Sequence, residues 1–479
     1  MKLVKLLEDV RYKGVVVDSE ISFLTCNSKE VKKGCLFACL KGENVDGHDY
    51  AKEAVSSGAV AILVEKDMGL PNQLLVDDTH KAFGKICANF YGNPAKRLKF
   101  IGVTGTNGKT TVTKIVKNVL EKENKKVGLI GTIQNEIASK VIATEKTTPD
   151  HVNYQMLIKE MADEGCEYVV MEVSSHALEQ SRIADTHFEV GVFTNLTQEH
   201  LDYHATMENY YQAKKKLFDV SDCSVVCVDD EYGKRLSEEI DKKVITFTAK
   251  DFSANFKAED IKMDVEGVDF RLVGEGLDEK IHFSTPGLFS VHNAMTAELV
   301  CIALGFDAKK SAASIASCKP IKGRSERIPT KRDFHIICDY AHSPDGLKNI
   351  LDSIHSYNKG RIVALFGCGG DRDKTKRPIM GEVAAKNADF LIVTSDNPRT
   401  EDPDSIIDDI MVGVEKTKTP YIRITDRKEA IKYAIENAKT DDIILLAGKG
   451  HEDYQVIGKE KIDFDERDVV RDILESLDR

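Results

Sequence analysis

Short apolar runs alternate with glycine-rich loops and amphipathic stretches along most of the chain. From FIGVTG at 100 the order is strand, glycine loop, helix and strand again. The further apolar runs KVGLIGT, YVVMEVSS, VGVFTNL and SVVCVDD continue it, and this alternation predicts a parallel α/β sheet. Residues 1 to about 98 carry shorter β-like runs, GVVVD, CLFACL, AVAILVEK and QLLVDD, with helices expected near 48–57 and 80–91. GNPAKRLK follows as a breaker cluster of the kind found in linkers. A β-rich stretch over about 245–284 precedes a helix introduced by PGLFSVHNAM, and a second junction falls near 328 at IPTKRDF. Beyond it, HIICDY, RIVALFG, FLIVTSD, YIRITD and DIILLAG alternate with helices expected near 344–356, 377–388, 403–416 and 427–438. That pattern predicts a doubly wound, Rossmann-like domain, with ligands bound beyond the carboxyl ends of its strands. The expected architecture is therefore α/β in three domains: a small one over 1–98, a central P-loop-type domain with a parallel sheet over 99–328, and a Rossmann-like one over 329–479.

One helical stretch breaks the apolar rule. In YYQAKKKLF, the face recurring at i, i+1, i+4, i+7 and i+8 is Tyr210, Tyr211, Lys214, Leu217 and Phe218. Lys215 and Lys216 rotate towards water, whereas Lys214 sits inside the stripe. A bare ammonium there would lose its hydration at a cost of several kcal/mol.

Composition narrows the class. At 479 residues, with roughly 150 per domain, about three domains are expected, and 42% hydrophobic with 30% charged residues is a globular balance. No apolar run approaches the ~20 residues that span a bilayer, and Glu8 and Asp9 interrupt the start before a signal-peptide core could form. The expected location is the cytoplasm, away from membranes. The eleven cysteines form no CxxC pair and several lie in apolar runs, which predicts buried free thiols. A net charge of -12 argues against broad nucleic-acid binding, so any anionic ligand must be held by local positive groups.

GVTGTNGKTT, residues 102–111, supplies such a site: a strand, a glycine loop and a helix start. Backbone N–H groups of Gly105, Thr106, Asn107 and Gly108 can cradle phosphates, Lys109 can reach the terminal ones, and Thr110, next to Thr111, can ligate Mg²⁺. The strict P-loop pattern wants glycine where Val103 stands. Glu172, near the end of EYVVMEVSSH, is placed to bind the magnesium that bridges nucleotide phosphates. His200 and His204 have the i, i+4 spacing of a zinc site, but HLDYH lacks the glutamate of HExxH, which leaves a zinc hydrolase as a weak alternative.

Taken in order, GTNGKTT, MEVSSHALEQSR, FTNLTQEHLDYH, YYQAKKKLFD, HNAMTA, GRSERI, CDYAHSPD, FGCGGDRDKTKRP, DNPR and AGKGHEDYQ resemble the Mur ligases. These enzymes form amide bonds in bacterial cell-wall precursors at the expense of ATP, and the resemblance covers nearly the whole chain. It implies an ADP-forming ligase that phosphorylates a substrate carboxylate and lets an amine capture the acyl phosphate. The implied cofactors are two Mg²⁺ ions, the first served by Thr110 and Glu172, the second by His200 and Lys214. In the family the lysine matching Lys214 carries a carbamate made from CO₂, which exchanges a buried cation for an anionic ligand. Lys109, Lys214, His200 and Glu172 are thus the implied catalytic set.

The same resemblance implies three small-molecule partners, no nucleic acid, no membrane and a monomer. Ser28, Glu43, Asn44, Val45, Thr147, Thr148, Ser174, Gln180 and Arg182 match contacts to UDP-MurNAc-L-Ala-D-Glu, which makes the first domain a nucleotide-sugar domain. Two departures stand out: Asn27-Ser28-Lys29 replaces the usual Asp-Ser-Arg, and Lys146 replaces asparagine before Thr147. For ATP, Asn293, Arg324 and Asp339 match, with Arg324 in the second domain and Asp339 in the third, so that closure is expected to join them. Asp396, Asn397, Pro398 and Arg399, with Arg372, Gly448 and Glu452, match the amino-acid contacts. An arginine fork suits the second carboxylate of meso-diaminopimelate, which lysine lacks. A lysine- or LL-diaminopimelate-adding relative and a non-catalytic nucleotide-binding module are the alternatives.

Overall fold

The computed structural model describes residues 1–42, 45–250 and 252–477. The chain divides into two compact units, Met1–Phe247 with Leu299–Asp307, and Thr248–Glu298 with Ala308–Arg479. The boundary expected near 98 lies inside the first unit, and that near 328 inside the second.

The first unit holds two sheets. A parallel four-stranded sheet runs β1 (Phe23–Thr25), β2 (Cys35–Ala38), β3 (Ala61–Val64) and β4 (Gln73–Leu75), backed by the helix Thr79–Phe90, whose Phe83 and Ile86 join Leu36, Leu63 and Leu74 in the core. GVVVD forms no strand: Val15 and Val17 are 84% and 59% exposed, and the neighbouring bridge, Lys13 to Leu75, lies just before it. A valine run becomes a strand only where a neighbouring ladder and a buried face receive it. The helix expected near 48–57 is a 3₁₀ turn, Gly47–Tyr50, followed by Ala51–Ser56.

The second sheet of this unit comprises β5 (Lys99–Thr104), β6 (Val127–Ile130), the hairpin β7 (Asn135–Ile137) and β8 (Lys140–Ile142), β9 (Tyr168–Glu172), β10 (Phe188–Phe193), β11 (Ser221–Cys227) and β12 (Lys243–Thr248). Its order is β12-β11-β10-β5-β9-β6-β7-β8, parallel from β12 to β6. The helix Met207–Asp219 packs Tyr210, Tyr211, Leu217 and Phe218 into the core of this sheet, the face that the i, i+1, i+4, i+7, i+8 spacing predicts.

In the second unit, β13 (Phe256–Asp264), β14 (Gly267–Gly274) and β15 (Leu277–Phe283) form an antiparallel meander. The last sheet runs β16 (Glu326–Ile328), β17 (His335–Asp339), β21 (Ile443–Ala447), β18 (Ile362–Phe366), β19 (Phe390–Val393) and β20 (Tyr421–Arg423), with only β16 antiparallel. Helices Pro344–His355, Lys376–Asn387 and Pro403–Val414 cover one face. Arg427–Glu436 and Glu466–Leu477 cover the other, completing the doubly wound fold. A hairpin, β22 (Tyr454–Ile457) and β23 (Glu460–Asp463), follows β21. Among the described residues no helix is long and apolar enough to cross a membrane, and all eleven cysteines are free thiols, ten of them buried.

Between the helices of that second face lies an ion pair with both side chains fully buried: Arg427 Nε donates to Glu466 Oε1 at 2.8 Å. The same guanidinium donates to Ser395 O at 3.3 Å and Ala447 O at 2.9 Å, tying the carboxyl ends of β19 and β21. Removing one partner strands the other charge in an apolar interior, at a cost of about 3–5 kcal/mol. Arg427→Met should lower unfolding free energy by that amount, and adding Glu466→Leu should recover most of it. Urea unfolding followed by circular dichroism checks this, because the chain has no tryptophan; equal losses in both variants would contradict the assignment.

Candidate active site

Three adjacent parallel strands of the first unit bring the phosphate loop, an acid and a histidine segment to one sheet edge. β5 lies between β9 and β10, with Val103 beside Glu172 and Thr104 beside Phe193. Gly105, which follows β5, has φ +143°, and a Cβ there would overlap Thr194 Oγ1, so the close approach requires glycine. Gly108, also at positive φ, leads into the helix Lys109–Lys122. The loop is clamped from β10: Asn107 N donates to Asn195 Oδ1 at 2.9 Å, Thr106 N to Asn195 O at 2.9 Å, and Thr197 N to Thr106 Oγ1 at 3.0 Å. Lys109 Nζ folds back onto Gly105 O at 2.8 Å and Thr106 O at 2.7 Å. Thr110 and Thr111 are buried in the first helical turn.

Glu172 is 1% exposed, and its two oxygens accept from Thr132 N and Thr132 Oγ1, each at 2.9 Å. Thr132 Oγ1 also meets Thr147 Oγ1 at 3.0 Å. Thr148 Oγ1 donates to Glu172 O at 2.9 Å and accepts from Ser174 N at 3.0 Å. Arg182 donates to Thr148 O and, through Nε and Nη2, to Gln180 Oε1, while Gln180 Nε2 donates to Tyr203 OH at 3.1 Å. Thr147, Thr148, Ser174, Gln180 and Arg182 therefore form one connected wall around the carboxylate. Ser28 opens a 3₁₀ turn capped by Asn27, Val45 is exposed, and Glu43 and Asn44 lie outside the described residues.

Lys214 is 1% exposed, with Nζ 2.8 Å from Gly105 O and 4.6 Å from the centre of the Tyr210 ring. Burial above all, and then the charge of Lys109, hold its pKa well below the ordinary lysine value, against a weaker opposing pull from Glu199. Two lysines thus converge on one carbonyl oxygen. Lys215 and Lys216 instead pair with Glu239 and Glu179 near the surface. His200, at φ +55°, has its pKa lowered by burial and by Lys109 and Lys214, against a raising effect of Glu199. His204 Nε2 meets Ser175 Oγ at 2.9 Å, and its ring stacks on Tyr210 at 5.0 Å, so this histidine is engaged by protein partners.

The second unit builds another site beyond its strand ends. Asn397, 3% exposed, donates from Nδ2 to Glu452 Oε2 at 2.9 Å. Arg399, at φ +52°, donates from Nη1 to Gly370 O at 2.7 Å, and its backbone N–H bonds to Val456 O at 3.0 Å. Asp396 Oδ1 accepts from Asn397 N at 2.7 Å, and Pro398 O accepts from Glu401 N. Arg372 is exposed, with Nη1 against Asp371 O. Arg377, buried, donates to Glu401, which in turn accepts from Asp371 N, so this loop is clasped to the DNPR segment. Arg324 and Asp339 need no closure to meet: β16 pairs with β17, Ser325 N donates to Asp339 Oδ2 at 2.7 Å, and the Arg324 guanidinium stacks 4.8 Å from Tyr340. Burial raises the pKa of the Asp339 carboxyl, with Arg324 opposing. Asn293 is buried in the helix Leu288–Ala303.

The sequence model of the Mur ligase catalytic domain matches residues 20–91, that of the middle domain 103–301, and that of the glutamate ligase domain 323–450. A UDP-N-acetylmuramoyl-L-alanyl-D-glutamate–2,6-diaminopimelate ligase of Caldanaerobacter subterraneus subsp. tengcongensis is 48% identical over 480 residues, covering 99% of each chain. The chain belongs to the Mur ligase family. A like-named Clostridium acetobutylicum protein is 44% identical over the full length of both chains. A solved diaminopimelate ligase structure superposes with TM-score 0.71 at 30% identity, covering 97% of this chain and 98% of its own. Mur ligases are ATP-dependent and form amide bonds, and this member has the family's three-domain α/β architecture.

Thr132 is singled out by no motif, and the partnerships of Asn195, Thr197, Tyr203 and Tyr210 with other segments are not read from the motifs that contain them, although Thr132, Asn195 and Thr197 each follow an apolar run, where strand-end residues face a ligand edge. The depressed pKa of Lys214 fixes a stability signature. Between its folded value and the ordinary lysine range the unfolded chain binds one more proton, so this group destabilises the fold at neutral pH and less as pH rises. In CO₂-free buffer Lys214→Met should therefore be more stable than wild type at pH 7, with the gap narrowing towards pH ~10. Urea unfolding at a series of pH values reads this; a gap independent of pH would contradict it.

Proposed function

We propose that this Mur ligase joins meso-diaminopimelate to the D-glutamate γ-carboxylate of UDP-MurNAc-L-Ala-D-Glu, acting as a cytoplasmic monomer in peptidoglycan precursor synthesis. The observation that carries this reading is the Asp396–Arg399 turn. It sets an arginine fork and the Glu452 carboxylate beside one strand end, opposite charges suited to the carboxylate and ammonium of a diamino diacid. Full-length identity to diaminopimelate ligases supports the same choice.

The residues fit magnesium. Glu172 is a buried carboxylate whose oxygens are held by the Thr132 hydroxyl and the Thr132 backbone N–H, both neutral donors, and Thr110 adds a hard oxygen donor. Burial lowers the pKa of both His200 and Lys214, which favours the neutral imidazole and the free amine that takes up CO₂, so His200 and a Lys214 carbamate would hold a second ion. Bound Mg²⁺ supplies positive charge that offsets repulsion between triphosphate and carboxylate.

The chain's own groups then act by position. Loop N–H groups cradle the phosphates, and Lys109, released from Gly105 O and Thr106 O, moves onto the terminal ones. A γ-carboxylate oxygen attacks the terminal phosphorus and ADP departs. The acyl phosphate gives the carbon a leaving group, the diaminopimelate amine adds to it, and inorganic phosphate leaves. The wall of Thr147, Thr148, Ser174, Gln180 and Arg182 orients the peptide end of the substrate beside Glu172.

ADP formation with Mg²⁺ and bicarbonate should require both UDP-MurNAc-L-Ala-D-Glu and diaminopimelate, with meso preferred over LL. A site built around a carboxylate rejects an analogue lacking it by roughly 10⁴-fold, so kcat/KM for lysine should be lower by about that factor. Comparable rates with lysine, or nucleotide turnover independent of the amino acid, would refute the reading.

A further inference from the structure

Lys449 is fully buried, yet it appears in none of the roles above. It sits in the turn after β21 between two glycines at positive φ, Gly448 at +114° and Gly450 at +52°. A Cβ on Gly448 would come 2.9 Å from Asp396 Oδ2, and one on Gly450 would press on the Tyr340 backbone, so the turn must be glycine on both sides to lie this close. That conformation aims the Lys449 side chain under the DNPR segment. Nζ lies 3.1 Å from Asn397 Oδ1 and 3.1 Å from Glu452 Oε2.

These contacts decide the orientation of two neighbours. Asn397 Oδ1 accepts from Lys449 Nζ and, at 3.0 Å, from Val456 N. With its oxygen held by two donors, the amide must point Nδ2 the other way, onto Glu452 Oε2 at 2.9 Å. Glu452 Oε2 therefore receives two donors, one of them charged. The triangle is closed by its own members, and Oε1 of Glu452 is the carboxylate oxygen it leaves over.

We propose that Lys449 is the positioning residue of the amino-acid site: by saturating Asn397 Oδ1 and Glu452 Oε2 it presents Glu452 Oε1 as the acceptor for the side-chain ammonium of the incoming diamino acid. The claim rests on the function proposed above and adds a specificity determinant to it. Lys449 touches no substrate; it fixes which atom of Glu452 does. It also sets a positive charge against the carboxylate in the turn and holds that carboxylate in place.

The test is steady-state kinetics on the full chain with Lys449→Met, Glu452→Gln and the double variant, varying each substrate in turn. Loss of a buried charged hydrogen-bond partner corresponds to roughly 10- to 100-fold. Lys449→Met should raise KM for diaminopimelate by that factor, with kcat within a few-fold and KM for ATP and the UDP-linked substrate unchanged. The double variant should be no worse than the poorer single one, because both changes act through the same carboxylate. A lowered melting temperature with unchanged KM for diaminopimelate would make Lys449 merely structural, and additive losses in the double variant would equally overturn the proposal. If Lys449→Met does not fold, Lys449→Gln, which retains a donor and an acceptor, takes its place with the same expected rise. Wild type assayed alongside separates the two claims: no diaminopimelate-dependent ADP there defeats the functional reading, whereas normal wild-type turnover with an unchanged variant KM defeats only the role of Lys449.

Discussion

An amine placed where water cannot follow it is the constraint around which the phosphate-loop site is organised. The helix Met207–Asp219 is amphipathic, and the spacing that buries Tyr210, Tyr211, Leu217 and Phe218 buries Lys214 with them. As an ammonium it would have three donors, and Gly105 O is the hydrogen-bond acceptor within reach of Nζ. The same oxygen accepts from Lys109. Burial and a neighbouring cation both lower the pKa of Lys214, and an uncharged amine is the form that reacts with CO₂. The core spacing of one helix thereby prepares the chemistry of a loop more than a hundred residues earlier in the chain.

The two sites share a construction. In each, parallel strands end side by side, glycines at positive φ let the following turns approach closely, and threonine, asparagine or backbone groups fix the charged side chains. Glu172 is held by Thr132, and Glu452 by Asn397 and Lys449. Holding a carboxylate by neutral or balanced donors before ligand arrives lowers the ordering cost of binding. The buried Arg427–Glu466 pair extends this rigidity beneath the second site, since its guanidinium also fixes Ser395 O and Ala447 O, next to the DNPR and GKG turns.

What could be read from sequence was what repeats locally. Strand-loop-helix alternation located the main strands, the i, i+4 stripe isolated Lys214, and the strand-end position singled out Glu172. Partners distant in sequence stayed hidden: nothing near Thr106 announces its bonds to Thr197 and Asn195, and nothing near Asn397 announces Lys449, because such pairs exist only once strands are ordered in a sheet. GVVVD misled for a related reason, since valine content describes a surface that fits a sheet without supplying the neighbouring strand. The Arg324–Asp339 pair was likewise misjudged, because β16, just short of the expected boundary, belongs to the last sheet.

The carbamate proposed on Lys214 rests on the burial and lowered pKa of its amine. ¹³C NMR of the intact protein equilibrated with ¹³C-bicarbonate reads it without reference to turnover. A protein-bound carbamate carbonyl resonance is predicted for wild type and should vanish in Lys214→Met. No such resonance in wild type, or one that survives the substitution, would contradict the account.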